Sequence, residues 1–157
     1  MAQGALPDQL GRFFEDNGLP KMAGRVLGHL LVCAPPEQTF DEVVAGVAAS
    51  RSSVSVATRL LIQLGLVERT SVRDDHRDRY AVSPGAWTTL LQQDIAAARR
   101  LKSLADEGLL QLSGQPKAVR ARLLEMRRFY TFLDDAYTPI LARWQKAAAA
   151  GPRRRRS

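Results

Sequence analysis

The last third of the chain carries apolar residues at a spacing of three and four, which is typical of one face of a long amphipathic helix. The stripe consists of Leu123, Met126, Tyr130, Leu133, Tyr137 and Leu141. Such a helix cannot bury this stripe on itself, so the stripe requires a partner surface. We predict two long helices over residues 84–112 and 116–150, with Pro139 kinking or interrupting the second.

These helices are predicted to join an N-terminal segment, residues 1–18, in the interface of a homodimer. The residues assigned to that interface are Leu10, Phe13, Leu123, Met126, Phe129, Leu133, Leu141 and Trp144.

The first 83 residues contain shorter elements with strong local start and stop signals. Thr39-Phe40-Asp41-Glu42 is a capping box, Ser50 is a predicted N-cap, and Gly65 is a predicted helix stop. The predicted elements are helices over residues 6–16, 20–33, 40–48 and 50–64, and strands over 66–71 and 79–82 around a charged turn over 73–78.

The order helix, short helix, helix and hairpin is that of a winged helix-turn-helix. The predicted fold is therefore mainly α: a winged helix-turn-helix with long N- and C-terminal dimerisation helices and a two-stranded β wing. Its predicted parts are a dimerisation segment over 1–18, a DNA-binding domain over 19–83, a helical dimerisation region over 84–150 and a disordered basic tail over 151–157.

The segment 50–64 divides into an apolar face and a polar face, as a helix in a DNA major groove requires. Val54, Thr58 and Leu61 are predicted to face the core. Facing outward are Ser52, Ser53, Ser55 and Arg59. Hydroxyls and a guanidinium can bond bases or phosphates, although a solvated amphipathic helix would show the same division.

The predicted hairpin has an unusually charged turn for a wing. Arg77 is predicted to enter a DNA minor groove, where the negative potential is strong, and Asp75 to pair with it and fix its direction. Arg73 and Arg79 are further candidate DNA contacts. The segment 39–82 holds six basic and six acidic residues, so the prediction rests on placement and not on a basic patch.

Composition excludes several other classes of protein. The net charge of +7 comes partly from Arg153–Arg156, and a single cysteine, Cys33, excludes an internal disulfide and suits a cytoplasmic location. A buried structural thiol is favoured at Cys33 over an oxidant sensor. No signal peptide, membrane span, metal site, cofactor motif or enzyme motif is predicted.

Three motifs resemble the MarR family of bacterial transcriptional regulators: Leu64-Gly65-Leu66-Val67-Glu68-Arg69, Asp75-His76-Arg77 and Val82-Ser83-Pro84-Gly85. Gly18-Leu19-Pro20, the segment 23–28 and the segment 50–55 are similar to its GbsR-like branch. The resemblance implies a homodimer, a winged helix for DNA and, often, a ligand that relieves repression. By position it assigns Arg51, Ser52, Ser53, Ser55 and Arg59 to the recognition helix, and Asp75 and Arg77 to the wing.

The last predicted helix holds half of the ten aromatic residues. These side chains are typical of a core or an interface, or they line a ligand pocket beside the winged domain in which Tyr130 and Tyr137 supply hydroxyls. We therefore predict a ligand- or signal-responsive repressor that binds a pseudo-palindromic operator on double-stranded DNA as a homodimer. The alternative is a winged-helix adaptor that binds another protein without reading DNA sequence.

Overall fold

The computed structural model describes residues 5–72 and 75–151, with the backbone alone at residues 72, 75 and 76. Its elements are α1 (Ala5–Asp16), α2 (Lys21–Val32), β1 (Gln38–Thr39), α3 (Phe40–Val47), α4 (Arg51–Gln63), β2 (Val67–Val72), β3 (Asp75–Val82), α5 (Ala86–Gln111) and α6 (Lys117–Ala149). They fall into two compact units, Met1–Trp87 and Thr88–Ser157. The mainly helical architecture with a small antiparallel sheet confirms the predicted fold class.

Helices α1 and α2 pack closely because glycines lie where their backbones meet. A Cβ at Gly28 would lie 2.6 Å from the Cα atom of Pro7, and a Cβ at Gly24 would collide with the backbone carbonyl of Leu10. The prediction that these glycines serve close helix packing is confirmed.

The core of the first unit lies between α2, α3, α4 and the sheet. Its most deeply buried large side chains are Val26, Val43, Val47, Val54, Leu61 and Val67. Each comes from the apolar face of a short element, so burial fixes the side of each element that faces solvent.

The local signals begin and end the elements as predicted. The Thr39 N–H donates to Glu42 Oε2 at 2.7 Å and the Glu42 N–H donates to Thr39 Oγ1 at 3.3 Å, which completes the capping box of α3. Gly65 adopts a φ of +71°, and the Leu66 N–H bonds to the Leu61 carbonyl at 2.9 Å. A left-handed residue followed by this bond is the common way to close a helix.

The sheet differs from the prediction in two respects. It has three antiparallel strands in the order β1-β3-β2, so the expectation of a two-stranded wing is wrong. A two-residue strand is too short to show a period of two, and β1 forms only by pairing Gln38 with Tyr80 and Thr39 with Arg79.

The second difference concerns the charged turn. Residues 75–78 belong to β3, where Asp78 pairs with Ser71 in the ladder, so their assignment to a turn is wrong. Backbone bonds extend this hairpin although its side chains are polar, because a solvated ribbon needs no alternating apolar face.

The second unit contains the antiparallel hairpin of α5 and α6. Trp144 Nε1 donates to Thr88 Oγ1 at 2.7 Å, and Arg99 Nε donates to Asp134 Oδ1 at the same distance. A Cβ at Gly108 would lie 2.8 Å from Leu123 Cδ1 at the other end of the pair.

Helix α6 continues through Pro139, so the predicted interruption there is wrong. A proline removes one backbone bond, and the contacts of Asp134 and Trp144 with α5 hold the helix on either side of that point.

Candidate nucleic-acid interface

The N-terminus of α4 is built around Ser50. The Ser50 Oγ atom accepts the N–H of Ser53 at 3.3 Å and donates its proton to Ser53 Oγ at 2.8 Å, and it lies 3.2 Å from Ser52 Oγ. Ser50 is therefore the N-cap, as predicted. The predicted contacts Ser52 and Ser53 are exposed on the first turn of the helix that this cap fixes.

The two faces of α4 separate as the sequence predicts. Val54, Ala57, Thr58 and Leu61 are buried, and the Thr58 hydroxyl donates to the Val54 carbonyl at 2.9 Å, which satisfies its hydrogen bond inside the core. Ser55 is half-buried and Arg59 is exposed, with Arg59 Nη2 3.5 Å from Ser55 Oγ. The outer face thus presents hydroxyls and one guanidinium.

Arg51 connects α4 to α3. Its guanidinium is ion-paired with Asp41 in the first turn of α3 and lies 5.0 Å from the centre of the Phe40 ring. A cation over an aromatic face is attracted by the ring quadrupole. Arg51 therefore holds a defined position at the edge of α4, which the sequence analysis did not foresee because the two partners are ten residues apart.

The hairpin formed by β2 and β3 is braced by Asp78. Its carboxylate accepts a proton from Ser71 Oγ at 2.8 Å and lies 3.4 Å from Arg69 Nη1. Arg77 is exposed and Arg79 is half-buried on β3, and alternation along the strand places both on the face opposite Asp78.

Glu42 lies within the electrostatic reach of both wing arginines. Hydrogen bonds from the Thr39 backbone and hydroxyl lower the pKa of Glu42, and the charges of Arg79 and Arg77 lower it further. The carboxylate that completes the cap of α3 is therefore ionised well into the acid range, with the wing arginines nearby.

An open groove of about 360 Å³ joins the start of α4 to the wing. Arg51 and Ser55 from α4 and Arg77 from β3 line it, together with Asp41 and Asp78. The structure thus brings three of the predicted DNA contacts onto one surface. Asp41 and Asp78 were missed by the sequence analysis, and no local pattern marks them, because each acts on an arginine supplied by another element.

Two predicted contacts cannot be placed in this surface. Arg73 lies outside the described residues, and so does the side chain of Asp75, whose backbone begins β3. Their predicted pairing and DNA contacts stay predictions.

The predicted dimer residues of α6 form two groups. Leu123, Met126, Leu133 and Leu141 are half-buried, and so are Tyr130 and Tyr137 on the same stripe. Phe129 and Trp144 are exposed, as are Phe132 and Ile140. No residue anywhere in α6 is fully buried within the single chain, so its contact with α5 leaves a large apolar surface uncovered.

The N-terminal candidates and the tyrosines differ in how far the structure places them. Phe13 is exposed and Leu10 is half-buried on α1. Neither the groove around Phe129 and Phe132 nor the groove around Trp144 is lined by Tyr130 or Tyr137.

Cys33 has the surroundings of a structural thiol. Its Sγ atom lies 3.6 Å from the Leu30 carbonyl oxygen, and burial raises the pKa of the thiol. A raised pKa lowers the thiolate fraction and with it the reactivity toward oxidants.

Two further observations concern the described ranges 5–72 and 75–151. No cluster of three or more His, Cys, Asp or Glu in them is arranged to hold a metal ion. No helix there combines the length and the apolar character needed to cross a bilayer.

Comparison with known proteins follows from this geometry. Residues 85–147 match the model of the MmpR5-like MarR family transcriptional regulators. The chain is 36% identical over 149 residues to the HTH-type transcriptional regulator MmpR5 of Mycobacterium tuberculosis, covering 91% of this chain and 90% of that protein. This chain belongs to the MmpR5-like MarR family. It is a DNA-binding transcriptional regulator in general terms and not an enzyme, which confirms both predictions at that level.

Solved structures agree with this MarR-family assignment. A crystal structure described as a transcriptional regulator superposes with a TM-score of 0.80 at 35% identity, covering 90% of this chain and 96% of the other. An S. aureus MepR mutant bound to an oligodeoxyribonucleotide gives a TM-score of 0.43 at 19% identity, covering 76% of this chain and 83% of that one. The resemblance to MarR proteins seen in the sequence is confirmed, and the GbsR-like branch stays a prediction.

Proposed function

We propose that two copies of this chain bind a pseudo-palindromic operator, with α4 in the major groove and the hairpin of β2 and β3 over the adjacent minor groove. In this proposal residues 19–83 are the DNA-binding domain. Residues 1–18 and 84–150 form the dimerisation region, and 151–157 form a basic tail.

The observation that carries the proposal is the shared groove of α4 and the wing. Arg51, Ser55 and Arg77 line one open surface although they come from two separate elements. A protein that follows the DNA backbone from one groove into the next needs cations and hydroxyls arranged in this way.

Each predicted contact then has a role that its exposure supports. Ser52 and Ser53 are exposed on the first turn of α4, where recognition helices contact base edges. Arg59 is one to two turns further along the same face and reaches a guanine or a phosphate. Arg77 enters the minor groove, and Arg79 and Arg73 contact phosphates beside it.

Homodimerisation is supported by the uncovered face of α6. Phe132 is 66% exposed and Phe129 is 53% exposed in the single chain. A second copy related by a two-fold axis buries such a surface against its own equivalent, since an isologous interface is self-complementary. The two copies of α4 then lie about 34 Å apart, one turn of DNA.

We further propose that the dimer is a repressor that a ligand or signal releases, with Tyr130 and Tyr137 as effector contacts. It acts in the cytoplasm of a bacterium, where the chromosomal DNA is found. The half-buried position of both hydroxyls between α5 and α6 supports an effector that changes how these helices pack.

A protein-binding adaptor is the second candidate. The observation that favours it is the ion pairing of interface arginines with acids, Arg51 with Asp41 and Arg69 with Asp78, which reduces the positive charge offered to phosphates. An adaptor of this kind binds all duplexes weakly and equally.

Selection of duplexes from a random library by the full-length protein separates the two candidates. A regulator enriches one pseudo-palindromic sequence, and a scrambled duplex then competes at least about a thousandfold less well. Recovery of no common sequence would contradict the proposed function and favour the adaptor. Truncation after Gly114 is a second test, because a soluble dimer lacking residues 115–157 would contradict the proposed interface.

A further inference from the structure

Val56 lies on the outer face of α4, among the residues proposed to contact DNA. It is 56% exposed, more than any other apolar residue of this helix. It is four residues after Ser52 and three before Arg59, so these three side chains lie in one row along the helix. That row points away from Val54, Ala57, Thr58 and Leu61, which are buried.

The fold gives Val56 little to pack against. The core beneath α4 is already closed by the four buried residues of the opposite face. On one side Val56 borders a shallow open groove, together with Pro20 and Met22 at the start of α2 and with Ser52 and Ser53. Its outer methyl surface therefore meets water in the single chain, which a serine or lysine at this position would avoid.

We infer that Val56 determines sequence specificity by contacting the C5-methyl group of a thymine in the major groove. This inference rests on the proposed function, because it requires α4 in that groove. Thymine is the one standard base that shows a methyl group at the major-groove edge, and an apolar side chain recognises it by excluding water. A polar side chain at the centre of the row would not make this distinction.

The neighbours of Val56 in the row fix where the thymine lies. Ser52, one turn toward the N-terminus, and Arg59, one turn toward the C-terminus, are about 5–6 Å from it along the helix axis. Both can donate hydrogen bonds, so the thymine is expected between two positions that are read by hydrogen bonding. The same thymine occurs once in each half-site of a pseudo-palindrome.

The test uses full-length protein and the duplex selected from the random library, with each thymine replaced in turn by deoxyuridine. This replacement removes the methyl group and leaves base pairing and hydrogen-bonding groups unchanged. The wild-type protein is expected to lose about fourfold in affinity per half-site at one thymine position, the effect of one buried methyl-sized group. Val56→Ala is expected to bind the thymine duplex more weakly and to lose nothing more with deoxyuridine at that position.

Two variants serve as controls. Ile62→Ala shortens another exposed apolar side chain of α4, which is 39% exposed and off the row, and it should keep the full response to deoxyuridine. Val56→Thr keeps one of the two methyl groups and should keep part of the response. Both Val56 variants should melt at the wild-type temperature, because the side chain is outside the core.

The outcomes separate the two claims. A selected sequence whose thymines all matter equally to the wild type and to Val56→Ala would overturn the role of Val56 and leave the proposed function in place. Failure of the wild type to select any sequence would overturn both. Loss of the response in Ile62→Ala as well would show that shortening any apolar side chain of α4 has this effect, and would also overturn the inference.

Discussion

Arg51, the first residue of α4, is ion-paired with Asp41 in the first turn of α3, and its guanidinium lies over the Phe40 ring. The start of the proposed recognition helix is therefore tied to the preceding helix through a side chain that is itself a candidate DNA contact. Both partners are largely exposed, so the pair contributes less than about 1 kcal/mol to stability. Its importance lies in the direction that it gives to Arg51.

Asp41→Asn should increase binding to unrelated DNA. The variant removes one negative charge at the interface and releases Arg51 to reach phosphates, so the salt slope for a scrambled duplex should steepen by about 0.9 for each phosphate gained. Fluorescence anisotropy at several salt concentrations measures this slope. Asp16→Asn, the same change at the end of α1, is the control, and equal slopes for the two variants would contradict the proposed orienting role.

Arg77→Ala should weaken operator binding by about 1–3 kcal/mol without changing the dimer or its melting temperature, because the side chain is exposed on the wing. Arg69→Ala is the matched control, since Arg69 is ion-paired with Asp78 on the other face of the hairpin. Asp75→Ala should resemble Arg77→Ala if Asp75 orients that arginine. Equal affinities of wild type and Arg77→Ala at physiological salt would exclude the minor-groove role.

Phe132→Glu should convert the dimer into a monomer. A charge placed in the apolar surface of α6 would be buried without a partner in the dimer, which costs several kcal/mol. Light scattering after gel filtration measures the mass, and operator affinity should fall by roughly 100-fold or more as the second half-site is lost. Ala142→Glu adds the same exposed charge on nearly the opposite side of the helix from Ile140 and should stay dimeric. A dimeric Phe132→Glu protein would place the interface elsewhere.

Glu42→Gln should flatten the loss of stability in acid. The pKa of Glu42 is lowered in the folded protein by bonds from Thr39, so the ionised form contributes stability above the ordinary pKa of 4.5 and loses it as pH falls through the lower folded value. Urea unfolding between about pH 2 and 6 should therefore show a smaller decline for the variant than for the wild type. Parallel curves would mean that the capping box contributes nothing to the acid response.

Most of the element order could be predicted because its signals are local. The capping box of Thr39 and Glu42, the Ser50 cap and the Gly65 stop each act within a few residues, so the order of helices and the winged-helix class follow from the sequence alone. The division of α4 into a buried and an exposed face follows equally, because it depends only on the helical period.

The tertiary structure alone decided the features that join distant residues. The strand β1 exists only through its pairing with Tyr80 and Arg79, and Asp78 braces the wing only because the hairpin register brings it to Ser71 and Arg69. Helix α6 passes through Pro139 while packed on α5, against the local preference of proline. Local signals specify where an element begins and ends, whereas pairing register and packing partners depend on energies summed over residues far apart in the chain, which no short stretch of sequence contains.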